Sequence, residues 1–394
     1  MKIAFIHNEK KIQTGAHYIN DLMFKKLEEQ GVKVKNFYPR SKLLDVPVEM
    51  KGLQNILFFH SLLEHKNDIL KCDLIQGTTY TPLALLAFNI PVVSHFGSTS
   101  AGFLKSTPKT ELLEPKLKSI WSMLKKAGVI TELNIKTRRP LRDIAEIENL
   151  VARRSDKVIA TSEVVKNDLI EANIPSDNIS VVWNSIEDFW FDGAPIKELA
   201  PPGLVYLGRL GGDVFTMKLK GLDRMIYIWN RFKALPKTTI AMTSSKKLAL
   251  WIRGVFENHY TFTNLSKEKI KERLSEKRGQ IFINPARYEG FCLSMAESMS
   301  QGLIPVSFPV GVAPEIIVNG ENGYVVETVE EMEKAIRIIL SDEELRDRLS
   351  RNAMKTARNF QAANMAKKLI KVYEDVVTDN KKKKADKRES RVKK

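Results

Sequence analysis

Residues 288–315 read YEGFCLSMAESMSQGLIPVSFPVGVAPE, and two acids, Glu289 and Glu297, anchor the stretch. It follows the apolar run Ile281-Phe282-Ile283, which reads as a buried strand. Gly290 then allows a turn that a side chain would obstruct, and a helix is predicted to begin between Cys292 and Ser294. The free N–H groups of such a helix start, with the partial positive charge of the helix end, make a phosphate site that needs no metal. The step from Glu289 to Glu297 is a little over two helical turns, so both carboxylates can line one side of a cleft. There they would accept hydrogen bonds from sugar and ribose hydroxyls.

With Glu289-Gly290-Phe291 opening it, Glu297 closing it and a Gly311 to Pro314-Glu315 turn after it, the segment resembles the donor-binding signature of the retaining family-4 glycosyltransferases. The resemblance implies an α/β fold of the GT-B type: two Rossmann-like, doubly wound parallel-sheet domains facing a central cleft. A nucleotide sugar would sit on the C-terminal domain, with Glu289 holding the donor sugar, Glu297 the ribose, and the backbone from Gly290 through Phe291, Cys292, Leu293 and Ser294 around the diphosphate. The likeness runs from Gly15 onward. It is most specific at Glu289 to Glu315, less so at Gly208 to Leu222 and at DKVIATS (156–162), and weakest between Gly97 and Arg154.

At 394 residues the chain fits two domains of Rossmann size, and a hydrophobic content of 43% is ample for their cores. The expected division is an N-terminal acceptor domain over 1–185, completed by a C-terminal helix over 362–378, and a nucleotide-sugar domain over 186–361. No run approaches the roughly 18 to 20 apolar residues of a membrane span. Met1 opens a short strand rather than a signal peptide, so a cytoplasmic location is expected. Cys72 and Cys292 make no disulfide framework, in keeping with a reducing compartment.

Net charge is +16. From Lys381 the tail KKKKADKRESRVKK holds nine basic residues and two acids, a net +7, and lacks apolar periodicity, so 379–394 is expected to be a disordered basic tail. The remaining +9 points to an anionic partner: a phospholipid surface at the inner face of the membrane, a polyanionic glycan, or nucleic acid. No interleaved aromatics or recognised binding module support nucleic acid.

Along the chain, Lys2 to His7 reads as a first buried strand, Thr14-Gly15-Ala16 as a glycine turn, and Tyr18, Leu22 and Leu27 as the start of helical spacing. The resemblance nominates Gly15 and Ala16, through their amides, to face the donor diphosphate; taken alone, Gly15 reads as a simple turn residue. A mixed helix is expected over Gly52 to Leu63, a strand over Asp73 to Gly77, a helix from Thr81 to Phe88, and a strand over Pro91 to His95. His95 ends that strand, where such folds place ligands. Relatives carry a histidine nearer Gly97, about 6 to 7 Å along, so His95 is either a donor-sugar contact or a structural histidine.

LKSIWSMLKKAG around Trp121 is amphipathic: Ile120, Trp121 and Leu124 either face a membrane or pack against the core. This region lies where relatives bind acceptors. A helix over Lys166 to Ala172 and the strand ISVVWN (179–184) precede the linker DGAPIKELAPPG, whose prolines and glycines mark the domain boundary. Leu204 to Leu207 opens the second domain. Gly208 and Arg209 end its first strand, and Arg209 and Lys220 match the two cations that in the family neutralise the donor diphosphate. The spacing is longer than usual, so Lys218 is an alternative to Lys220.

The expected activity is therefore a retaining, metal-independent transfer from a UDP- or GDP-sugar to a hydroxyl on a glycan, glycolipid or polymer, with no cofactor. A catalytically silent accessory relative that binds a partner, and a nucleotide-sugar epimerase of the same architecture, are the alternatives.

Overall fold

The computed structural model of the protein describes residues 1–7, 15–39, 59–136, 138–193 and 198–392. Two compact units divide the chain. The first takes Met1–Gly102, Thr137–Ser185 and Ala362–Lys394, the second Phe103–Lys136 and Ile186–Gln361.

In the first unit the strands are β1 (Lys2–Ile6), β2 (Lys33–Phe37), β3 (Leu74–Thr78), β4 (Val92–Phe96), β5 (Lys157–Ala160) and β6 (Ile179–Val181). They form one parallel sheet in the order β2-β1-β3-β4-β5-β6, with Lys2 opposite Lys33 and Ile3 opposite Leu74. Segments such as KIAFI bury almost every residue, as parallel strands must when crossover helices cover both faces. The helix Gly15–Glu29 comes after β1, and Tyr373 of the last helix donates its hydroxyl to Gln76 of β3.

The second unit repeats the plan with β7 (Leu204–Arg209), β8 (Lys237–Met242), β9 (His259–Thr263), β10 (Ile281–Asn284), β11 (Ile304–Ser307) and β12 (Tyr324–Val325). These too are parallel, in the order β12-β11-β10-β7-β8-β9. The order turns back between β7 and β10, and a crevice opens outside the carboxyl ends of strands at such a switch point.

Several expectations are corrected. Residues 103–136, expected in the N-terminal domain, belong to the second unit. The helix Pro115–Lys126 buries Leu117, Ile120, Trp121 and Leu124 in that unit's main apolar cluster beside Met225 and Trp229, so its apolar stripe faces protein rather than membrane. The region read as a helix over Thr81 to Phe88 forms only a short 3-10 turn, Leu83–Leu85, with Pro82 at its start. ISVVWN pairs only over Ile179–Val181. Most of the helix expected over Gly52 to Leu63 lies outside the described residues, as do Thr14 and part of the linker.

The tail expected to be disordered continues the terminal helix, Ala362–Val392. Its lysines, arginines, alanine and glutamate are good helix formers with no glycine or proline among them. Lys384 donates to the Asn89 carbonyl at 2.9 Å. Among the described residues no helix is long and apolar enough to cross a membrane.

Candidate functional site

β10 ends at Asn284, whose side-chain amide donates to Ser307 Oγ at 3.0 Å and lies 3.4 Å from Cys292 Sγ. These contacts tie β10 to β11 and to the far end of the loop between. Tyr288, Phe291 and Cys292 are buried, with Phe103 edge-on to Tyr288 and Phe360 edge-on to Phe291. Cys292 adopts a left-handed φ of 81° and starts the helix Leu293–Ser300 without a side-chain cap, and within the first turn the Met295 N–H donates to the Cys292 carbonyl at 3.1 Å. Gly311, at φ +55°, closes the loop from the other side: a Cβ there would stand 2.4 Å from the Phe291 carbonyl oxygen. The Val312 N–H donates to that same oxygen at 2.9 Å.

Lys220 reaches this loop because Gly221 does. Gly221 (φ +66°) caps the helix Leu222–Arg231, and a Cβ would meet the Pro285 carbonyl oxygen at 1.9 Å. Lys220 Nζ donates to Glu289 Oε1 at 2.5 Å, with only 20% and 16% of the two side chains exposed. Gly208 and Arg209 end β7, the strand beside β10, and Arg209 is exposed there. The structure thus gathers Arg209, Lys220, Glu289 and the start of the Leu293–Ser300 helix at the carboxyl ends of two neighbouring strands.

Lys218 is not part of that group. It is buried, and its ammonium donates to the Pro108 carbonyl at 2.9 Å, to Thr110 Oγ1 at 2.8 Å and to Asn134 Oδ1 at 3.2 Å. These commitments correct its expected place at the diphosphate.

Glu297 lies one helical turn beyond Leu293 and is nearly enclosed. Burial raises its pKa, the Glu187 charge adds to the rise, and Lys267 opposes it. Lys267 Nζ stands 2.5 Å from Glu187 Oε1 and 3.4 Å from Glu297 Oε1. Burial alone would lower the Lys267 pKa, but the two carboxylates outweigh it and raise it. Glu187 and Lys267 are not among the sequence candidates. Their partner Glu297 is, but nothing in a local pattern links three residues so far apart in the chain.

Two other groups near Glu289 are held protonated. Burial, helped by the Glu289 charge, pushes the Cys292 thiol up to about 12 and raises the Tyr206 phenol well above its ordinary value. Cys292 is therefore a packing residue and not a thiolate nucleophile at neutral pH.

In the first unit, Gly15 and Ala16 open the helix Gly15–Glu29, directly after the undescribed stretch beyond β1. His95 lies inside β4, 3% exposed, and burial lowers its pKa to about 4. A neutral ring sealed in the sheet corrects the expectation that it touches a donor. Gly97, just past the strand end, has open space where a side chain would stand.

Comparison with protein families matches residues 24–188 to Glycosyltransferase Family 4 and residues 241–356 to glycosyl transferases group 1. A sucrose synthase of Melioribacter roseus is 39% identical over 88 residues, which are 21% of this chain and 11% of that protein. The other curated relatives are matched over 57 to 60% of their length. Among solved structures, sucrose-phosphate synthase from Thermosynechococcus elongatus superposes with a TM-score of 0.69 at 15% identity, covering 96% of this chain and 99% of that one. Anabaena HepE in complex with UDP-glucose gives 0.63 at 15% identity, covering 95% and 100%. At such identities the likeness establishes the fold.

Proposed function

The chain belongs to the family-4 glycosyltransferases, with the α/β GT-B fold, and from that premise we propose that it transfers a sugar from a UDP- or GDP-sugar to a hydroxyl acceptor, with retention of configuration and without a metal. The Lys220–Glu289 pair beside an uncapped helix start is the observation that carries this reading. As the nucleoside diphosphate departs, negative charge grows on its oxygens. Arg209, Lys220 and the amides of Phe291 to Ser294 are preorganised to meet that charge in the transition state. Glu289, oriented by Lys220 through one carboxylate oxygen, offers its other oxygen to donor-sugar hydroxyls. Glu297, held by Lys267, takes the ribose. Gly15 and Ala16 of the first unit contribute amides to the diphosphate. HepE's complex with UDP-glucose supports a nucleotide-sugar donor.

A thermal-shift panel of UDP-, GDP- and ADP-sugars tests the donor. A ligand at 100 times its Kd adds about 2.7 kcal/mol to stability. NMR of the product anomer then tests retention. If no nucleotide sugar raises the melting temperature and none is consumed with any glycan, glycolipid or polymer acceptor, the reading falls.

The enclosed His95 favours one rival, an accessory relative that keeps the fold and has lost the chemistry. Such a protein consumes no donor, whereas an epimerase would convert donor without any acceptor.

An anionic membrane surface is a further partner of this reading, attracted by charge in each unit. Lys118, Lys125 and Lys126 face solvent on the Pro115–Lys126 helix, and a net +7 lies beyond Asn380. Deleting 381–394 is expected to weaken co-sedimentation with phosphatidylserine vesicles and leave transfer to a soluble acceptor intact. Equal sedimentation of the truncated chain refutes the membrane role.

A further inference from the structure

We propose that residues 103–136 form a positioning arm for the donor loop, fastened at Trp121 and at Lys218. The inference rests on the reading of Lys220 and Glu289 as donor-binding groups and adds to it residues that touch no ligand.

The fastenings are buried and directional. Trp121, fully enclosed, donates its Nε1–H to Asp223 Oδ2 at 2.9 Å. Asp223, also enclosed, accepts both arms of the Arg287 guanidinium at 2.7 Å each. Arg287 in turn donates its backbone N–H to the Leu219 carbonyl at 2.8 Å and its Nη1 to the Lys218 carbonyl at 3.0 Å. Lys218 sends its ammonium back into the arm, to Pro108, Thr110 and Asn134. The network closes a ring: arm, Asp223, Arg287, Lys218, arm.

Sequence spacing turns that ring into a positioning device. Lys218 stands two residues before Lys220, and Arg287 two residues before Glu289. Each member of the donor-binding pair therefore hangs from a member of the ring on a two-residue tether. Charged groups this deeply buried are tolerable only with their hydrogen bonds made, so the ring has one low-energy arrangement and holds both tethers in it. Loss of the Trp121 donor leaves Asp223 Oδ2 with Arg287 Nη2 as its remaining partner, unfastens the Asp223–Arg287 pair from the arm and lets Glu289 move relative to Lys220.

The test is a double-mutant cycle on the full chain, read as the calorimetric Kd for whichever of UDP, GDP and ADP the wild type binds. Trp121→Phe keeps an aromatic side chain at this position and removes the N–H. It is expected to weaken binding about fivefold, while in a Lys220→Ala background it changes almost nothing, because its effect passes through the pair. Thr110→Val, which removes one partner of Lys218, should behave alike and serves if Trp121→Phe does not fold. Lys126→Ala, on the exposed face of the same helix, leaves Kd unchanged. Independent, multiplying effects of Trp121→Phe and Lys220→Ala, or an unaltered Kd in both arm variants, overturn the proposal.

Should the wild type bind none of the three nucleotides, the donor reading fails and amide hydrogen exchange decides the arm. Faster exchange across 285–292 in Trp121→Phe, with β10 and β11 unchanged, sustains the positioning role; unchanged exchange in that loop overturns it.

Discussion

In the second unit, charged side chains hold one another in ion pairs: Lys220 on Glu289, both singled out by the sequence, and Lys267, which is not, between Glu187 and the candidate Glu297. In the first unit the position past β4 offers Gly97, and His95, two residues earlier, is sealed in the sheet. Both units have the same parallel plan, so the strand arrangement does not cause the contrast. The loops beyond the strand ends do. In the second unit left-handed residues at Gly221, Cys292 and Gly311 bend those loops hard enough to bring charged side chains together. The first unit presents backbone, at Gly15 and Ala16, near the end of β1.

The sharpest way to break this contrast is at the ion pair. Lys220→Ala or Glu289→Gln is expected to lower the kcat for transfer by about 10² to 10³, the usual cost of removing a preorganised group that meets transition-state charge. Donor consumption measured at saturating nucleotide sugar checks it. A loss under tenfold in both variants would mean the pair is structural.

The next effect belongs to the first unit and is read with pH. The His95 pKa falls to about 4 on folding because its protonated ring would be buried. The unfolded chain, with an ordinary imidazole, binds more protons between pH 4 and 6.5, so stability rises with pH across that window and is lost as pH falls through it. The size is up to about 3 kcal/mol between the two limits. His259 in the second unit, lowered to about 4 by burial, acts in the same direction. Melting temperatures from about pH 4 to 7 are therefore expected to climb less steeply in His95→Gln than in the wild type, over a background in which His259 adds to the rise and the buried Glu148 carboxyl, raised to about 7 by desolvation, opposes it. Parallel curves for the two proteins would place His95 in a wetter site than the structure does.

A smaller effect, of about 2 kcal/mol, is expected for Gly311→Ala, which combines a left-handed backbone with a forced shift against the Phe291 carbonyl. Chemical denaturation measures it. Stability equal to the wild type would show that the loop from 308 to 312 yields easily, and with it the clamp on Phe291.

Legibility in the sequence divides along the same line. The places of Glu289, Lys220 and Arg209 in the chain are readable because each stands beside a glycine, while their donor-binding roles are what the resemblance to the family signature implies. Lys267 is not readable, since it meets Glu187 and Glu297 across 80 and 30 residues of chain. Periodicity in LKSIWSMLKKAG correctly marks an apolar face but does not say what covers it, and the cover is the opposite unit from the one its chain position suggests. Lys218 misleads for a related reason. A lysine next to a phosphate-binding turn looks available until a segment more than a hundred residues upstream supplies its acceptors. Strands β9 and β11 and the helices Lys246–Val255 and Lys267–Ser275 escape notice between stronger signals.

The smallest expected effect is also the one that most directly tests whether the two halves differ in chemistry and not only in degree. His95→Gln, measured at about pH 7 to 8 where the wild-type ring is neutral, is expected to change turnover per folded molecule by less than about twofold, since a side chain 3% exposed has no surface with which to meet a donor. Glutamine is polar, close to histidine in size, and removes only the titrating ring, so the comparison is read after correcting for the folded fraction. A tenfold fall in kcat with KM preserved would require the His95 ring to reach the reacting sugar through a rearrangement of β4. The first unit would then share the transition-state work that the ion pair at Lys220 otherwise carries in the second.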